Sequence, residues 1–187
     1  MFQKYSIFIK ILILVLIFVP LYFLETVLFS FSANVKSPLI QISITLIQSL
    51  APILFCFFFF QTFKYFRLPT CYYKNRPFEN EKYFRILGVS IFRKILVNSF
   101  LRHANSRVYL KGRSKDYLRV FLEETKQSET SHLFAIFLTL IPQFLYLRSG
   151  QMMNFWLLTL FSVFFNLYPM LLQRKNRFHF ESRLTNN

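Results

Sequence analysis

Glycine and acidic residues are scarce in this 187-residue chain, with three Gly and eight Asp plus Glu, and the motifs built on glycine are absent. There is no P-loop, no dinucleotide fingerprint and no G-x-S-x-G elbow, which removes the familiar NTPase, Rossmann and serine-hydrolase readings. The two cysteines, Cys56 inside an apolar run and Cys71 beyond it, have no C-x-x-C partner or metal-ligand spacing. No redox or zinc role is expected of them. Histidines number three, and beside His132 only His103 and His179 remain, so no metal site is expected.

What is present is apolar bulk and positive charge. Hydrophobic residues make up 54% and charged residues 17% of the chain, too apolar a balance for an ordinary water-soluble domain. Twenty-seven Phe make the apolar residues bulky ones, suited to lipid contact and interhelical packing. A net charge of +15 on its own would fit nucleic acid. Beside long hydrophobic runs it fits cytoplasmic loops and anionic headgroups, so membrane lipids, not nucleic acid, are the expected partner.

Four apolar runs organise a single integral membrane domain over residues 1–187. They cover 11–31, 39–63, 133–147 and 152–172. The first is long enough for about 30 Å of hydrocarbon and longer than a signal peptide's apolar region, so a retained anchor is expected. The third is only about 22 Å long as a helix and carries Pro142, which leaves spanning with thinning and re-entry both open. Lys and Arg count two before the first run, one at Lys36, fifteen from Lys64 to Lys126, one at Arg148 and four from Arg174 onward. That alternation predicts a multi-pass protein of the cell membrane with both termini and the segment 64–131 in the cytoplasm. The fold class is all-α: about four transmembrane helices in two hairpins, with a basic amphipathic helical cytoplasmic region between them. Within it, Phe84, Leu87, Ile91 and Ile95 follow helical spacing, which predicts a helix at the lipid surface. A second helix from Lys115 is predicted to run straight into the third apolar run.

One face of that second helix can carry chemistry. Leu118, Leu122, Thr125, Glu129 and His132 share it, and it changes from apolar to ionisable at the membrane boundary. A carboxylate three residues from an imidazole can fix its tautomer and raise its basicity, leaving the other nitrogen to take a proton from a hydroxyl. The plainer alternative is a pair of interfacial polar residues where the helix enters the membrane. Gln173-Arg174-Lys175-Asn176-Arg177 closes the fourth run and reads equally as a stop-transfer anchor. Asn166, two turns inside that run, suits an interhelical hydrogen bond or a substrate contact.

Several ordered pieces together resemble the glycosyl-4,4'-diaponeurosporenoate acyltransferases of staphyloxanthin-type carotenoid biosynthesis. They run over roughly 76–184: Phe78-Glu79; Tyr83, Leu87-Gly88-Val89 and Phe92-Arg93-Lys94; Asn105, Arg107-Val108 and Gly112-Arg113; Glu124-Thr125-Lys126, Glu129 and His132; Asn166, Tyr168-Pro169, Gln173-Arg174 and Asn176-Arg177. Leu133 and Phe178-His179 depart from the family pattern. The resemblance implies transfer of a fatty acyl group to a sugar hydroxyl of a glycosylated carotenoid or related glycolipid. It implies no cofactor beyond acyl-CoA or another acyl carrier as donor substrate. Membrane lipids, a lipid-linked sugar acceptor and other carotenoid-synthesis enzymes are the implied partners. On that reading His132 is the general base and Glu129 its orienter. Arg174 and Arg177 hold an anionic carrier, with Gln173 and Asn176 positioning it. The competing expectation is a non-catalytic membrane scaffold for carotenoid or lipid biosynthesis enzymes, which needs no ionisable pair. A transporter ranks below both, because the runs carry few charges.

Overall fold

A computed structural model describes residues 7–62, 68–99 and 115–185, and every regular element among them is helical. Helix α1 is Ile7–Asn34, α2 Pro38–Thr62, α3 Thr70–Tyr73, α4 Glu81–Ile86, α5 Val89–Asn98 and α6 Lys115–Arg148. After the turn at Ser149-Gly150 follow α7 Met152–Ser162, a π-helical segment Val163–Leu167 and α8 Tyr168–Thr185. Three helices among the described residues are long and apolar enough to cross a membrane: Pro38–Phe59, Leu118–Arg148 and Met152–Glu181. The third apolar run thus belongs to a 34-residue helix. At 1.5 Å per residue that helix is about 50 Å long, so the shortness of the apolar stretch alone does not limit its reach.

The chain divides into two compact units. Unit 1 is Met1–Phe66 with Ser131–Leu167, and unit 2 is Arg67–Thr130 with Tyr168–Asn187. Unit 1 is built inside out relative to a water-soluble protein. Phe23, Leu39, Phe58, Trp156 and Leu160 lie exposed, while Glu25, Thr45, Gln48, Ser49, Thr139, Asn154, Ser162 and Asn166 are buried. Apolar surface costs nothing against lipid tails, and polar side chains turn inward to find partners, as Thr139 does with Ser162 at 3.0 Å. A small apolar cluster of Cys56, Phe59 and Ala135 completes this interior.

Unit 2 packs short helices on aromatic side chains. Asn80 caps α4, its side chain accepting the Tyr83 N–H at 2.9 Å. Gly88, at φ +72°, then separates α4 from α5. The single helix expected through 84–95 is therefore two, and its apolar face is corrected. Phe84, Val89 and Phe92 are buried, whereas Ile86, Ile91 and Ile95 are exposed, because the left-handed turn resets the register. Phe92 stacks on Tyr168, with centroids 5.2 Å apart, and Phe121 and Leu122 pack on Phe180. The motif pieces at Asn105, Arg107-Val108 and Gly112-Arg113, like His103, lie outside the described residues.

Candidate functional site

The polar residues singled out in the sequence gather in two groups, one in each unit. In unit 2, Arg174 and Arg177 stand three residues apart on α8 and so share a face. Between them lies Glu129, fully buried. Arg174 Nη1 donates to one of its carboxylate oxygens at 3.0 Å and Arg177 Nη1 donates to the other. Arg174 Nε donates to Glu79 at 2.5 Å, and its Nη2 reaches the Tyr72 carbonyl at 3.5 Å. Two carboxylates thus balance two guanidiniums away from water.

Aromatic residues of α3 enclose these charges. Arg174 lies 5.5 Å from the centre of the Tyr72 ring and Arg177 5.4 Å from that of Tyr73. The Tyr73 hydroxyl shares a 2.5 Å hydrogen bond with Thr130. Burial, and then the adjacent Glu129 carboxylate, push the ionisation of Tyr72 above the ordinary tyrosine value. It stays a hydroxyl and donates to Glu129.

The cluster is not fully satisfied. All three nitrogens of Arg174 are in use, but Arg177 is wholly buried and its Nε and Nη2 have no partner. Asn176 Nδ2, on the same helix, also has none. Buried N–H groups without acceptors are costly, and a ligand rich in acceptor oxygens would relieve that cost. Lys175 is committed elsewhere, to Ser90 at 3.0 Å and Glu81 at 3.4 Å. Gln173 is half-buried.

In unit 1, His132 sits in the second polar group. The Asn166 side chain and the Phe165 backbone flank its imidazole as hydrogen-bonding groups, while Nδ1 is buried with no partner. The local sequence explains why the Phe165 carbonyl can serve. Proline at 169 has no N–H to return to the carbonyl four residues earlier, and the π segment Val163–Leu167 lies where that helical bond is lost. Asn166 Nδ2 also reaches the Ser49 carbonyl at 3.5 Å, which ties the π segment to α2.

The structure accordingly gives each sequence-derived site residue its own company. Arg174, Arg177 and Glu129 form one buried cluster, and Asn166 joins His132. The carboxylate assigned on sequence to orient the imidazole is taken up by arginines, and the groups beside the imidazole come from the π segment. Sequence reasoning did not select Glu79, Tyr72 or Tyr73 as site residues. The signal for Glu79 lay in the Phe78-Glu79 piece, and the freed carbonyl at Phe165 was announced by Pro169. Among the described residues no group of three or more His, Cys, Asp or Glu could hold a metal ion.

No similar curated protein and no similar solved structure was found. Residues 69–185, well over half of the chain, match the family of glycosyl-4,4'-diaponeurosporenoate acyltransferases. They contain both polar groups apart from the α2 carbonyl, and the chain belongs to that family.

Proposed function

We propose that this chain is a membrane acyltransferase that moves a fatty acyl group from an anionic carrier to a sugar hydroxyl of a glycosylated carotenoid or related glycolipid. The observation that carries the reading is His132: a half-buried imidazole, flanked by the Asn166 side chain and the Phe165 backbone, whose Nδ1 is buried without a partner. In this scheme the buried, unpartnered Nδ1 carries the lone pair and the opposite ring nitrogen carries the proton. As the acceptor's hydroxyl oxygen adds to the acyl carbonyl carbon, its proton passes to Nδ1. The bond to the carrier then breaks, and Nδ1 returns the proton to the departing group, giving the ester and free carrier.

The spare donors of Arg177 and Asn176 support binding of phosphate on a carrier such as acyl-CoA. In this scheme Arg174 and Glu129 are positioning residues that hold Arg177 in place. The distribution of Lys and Arg supports four membrane crossings in two hairpins in the cell membrane, with both termini cytoplasmic. In the same topology the basic end of α8 faces the compartment that supplies acyl carriers.

Mass spectrometry of pigments and glycolipids tests the reading, in cells lacking the chain and then supplied with wild type or His132→Ala. A deacylated glycoside should accumulate without the chain, and only wild type should restore the ester. Restoration by His132→Ala removes the base assignment. Unchanged lipids in the deletion strain remove the acyltransferase reading in favour of a scaffold.

A further inference from the structure

Unit 1 buries a carboxylate that the proposed mechanism does not use. Glu25, on α1, is 1% exposed, and neither of its carboxylate oxygens has a hydrogen-bond partner. An ionisable group inside an apolar bundle is expensive to keep and marks a functional site by default. Its surroundings are ordered by a chain of side-chain hydrogen bonds. Ser32 Oγ shares a 3.0 Å bond with the Tyr146 hydroxyl, and that hydroxyl donates at 2.6 Å to Gln48 Oε1. The amide is thereby turned so that Nε2 points to the Glu25 carbonyl at 3.5 Å, with the Glu25 carboxylate alongside. One residue further along α2, Ser49 Oγ is also buried without a partner.

The geometry points to a polyol-binding site inside unit 1, in which Glu25 and Gln48 hold neighbouring hydroxyls of a lipid-linked sugar. Carboxylate oxygens accept hydrogen bonds, and even a protonated carboxyl keeps an acceptor oxygen, so the missing partner is a donor. Adjacent hydroxyls supply donors at the spacing of a carboxylate's two oxygens. A cation would also satisfy acceptors, but no other acidic residue is buried in this unit among the described residues. Tyr22, Phe23 and Val27, around Glu25 on α1, are exposed and form an apolar surface suited to lipid. The ligand arriving there carries an apolar tail. The assignment of this sugar as acyl acceptor rests on the function proposed above; the site itself rests on residues of α1 and α2, outside the matched segment 69–185.

Full-length protein in phosphatidylcholine nanodiscs and tritiated dodecyl glucoside as probe test the site. Wild type should bind the glucoside saturably, and Glu25→Gln should weaken binding about 2- to 10-fold, the range for losing a hydrogen bond between neutral groups. Equal binding by the two overturns the site. Free glucose and monolauroylglycerol separate the sources of hydroxyls, and neither should displace the probe at concentrations where unlabelled glucoside does. Displacement by monolauroylglycerol overturns the assignment to a sugar, and displacement by glucose overturns the requirement for a lipid tail. A dodecyl glucoside with a diazirine on its sugar needs no variant. Photolysed with wild type, it should label peptides from residues 19–34 and 41–56, and labelling confined to other peptides overturns the site. Acyl-transfer assays keep the two ideas apart. Glucoside binding that needs Glu25 in a protein that makes no ester refutes the acyltransferase reading alone. Ester formation by Glu25→Gln at an unchanged KM for the acceptor refutes the polyol site alone.

Discussion

Replacing Glu129 by Met is the sharpest test of how unit 2 is held together. Glu129 and Arg177 are wholly buried and Arg174 is 7% exposed, and among the described residues the carboxylate lost is the only one paired with Arg177. Its removal leaves two buried guanidiniums opposite Glu79 alone. Removing one partner of a buried ion pair costs about 3–5 kcal/mol, because the charge left behind has neither water nor counter-charge. For a chain of this size each kcal/mol lowers Tm by roughly 2–4 °C, which gives a fall of about 6–20 °C. Helical circular dichroism in nanodiscs reads it, since every regular element described is a helix. The informative companion is Glu129→Met with Arg177→Met. That pair leaves Arg174 facing Glu79 one to one, and apolar replacement of a complete buried pair is close to neutral. The double variant should therefore be more stable than Glu129→Met, with a coupling of ~2 kcal/mol or more. Effects that add within about 0.5 kcal/mol, or a Glu129→Met protein within about 1 kcal/mol of wild type, refute the argument that these charges depend on each other.

Two further outcomes concern the same unit. Gly88→Ala should lower stability by about 1–2 kcal/mol in the same assay, because φ +72° is unfavourable for a side chain, while the added Cβ would meet the Tyr168 hydroxyl at an ordinary 3.4 Å; Gly88→Asn should cost less. Tyr72 ionises above the ordinary value of 10.0 in the folded protein. Above that pH the unfolded chain loses this proton while the folded one keeps it, so stability should fall as pH rises past about 10. The fall should be smaller in Tyr72→Phe, and the wild-type minus Tyr72→Phe absorbance at 295 nm should show no ionisation step near 10.

Much of the architecture was legible because a membrane imposes simple rules. Runs of apolar residues about twenty long become helices whatever their internal order, and the helices α1 and α2 cover the first two runs with little change. The continuation of Lys115 into the third run was legible too, since nothing between Lys115 and His132 stops a helix. What failed was the face of the helix through Phe84 and Ile95. Its spacing was sound over short stretches, but Gly88 takes a left-handed turn, and one such residue moves every later side chain to a new side. Ile91 and Ile95 do lie exposed, as a helix at the lipid surface requires, whereas Phe84 of the same expected face is buried.

The site was legible as a set of residues but not as a set of pairs. Spacing along α6 puts Glu129 near His132 and says nothing about α8, which delivers two arginines to the carboxylate. The resulting imbalance is itself informative. In unit 2 the unpartnered buried atoms include the donors Arg177 Nε and Nη2 and Asn176 Nδ2; in unit 1 they include the acceptors Glu25 Oε1 and Oε2 and His132 Nδ1. A fold that merely wanted stability would pair or discard such groups, since each costs about 1–3 kcal/mol when left open. Donors kept open in one place call for an anionic, oxygen-rich ligand, and acceptors kept open in another call for hydroxyls. The proposed acyl transfer, from a phosphate-bearing carrier to a sugar hydroxyl, supplies one ligand of each character.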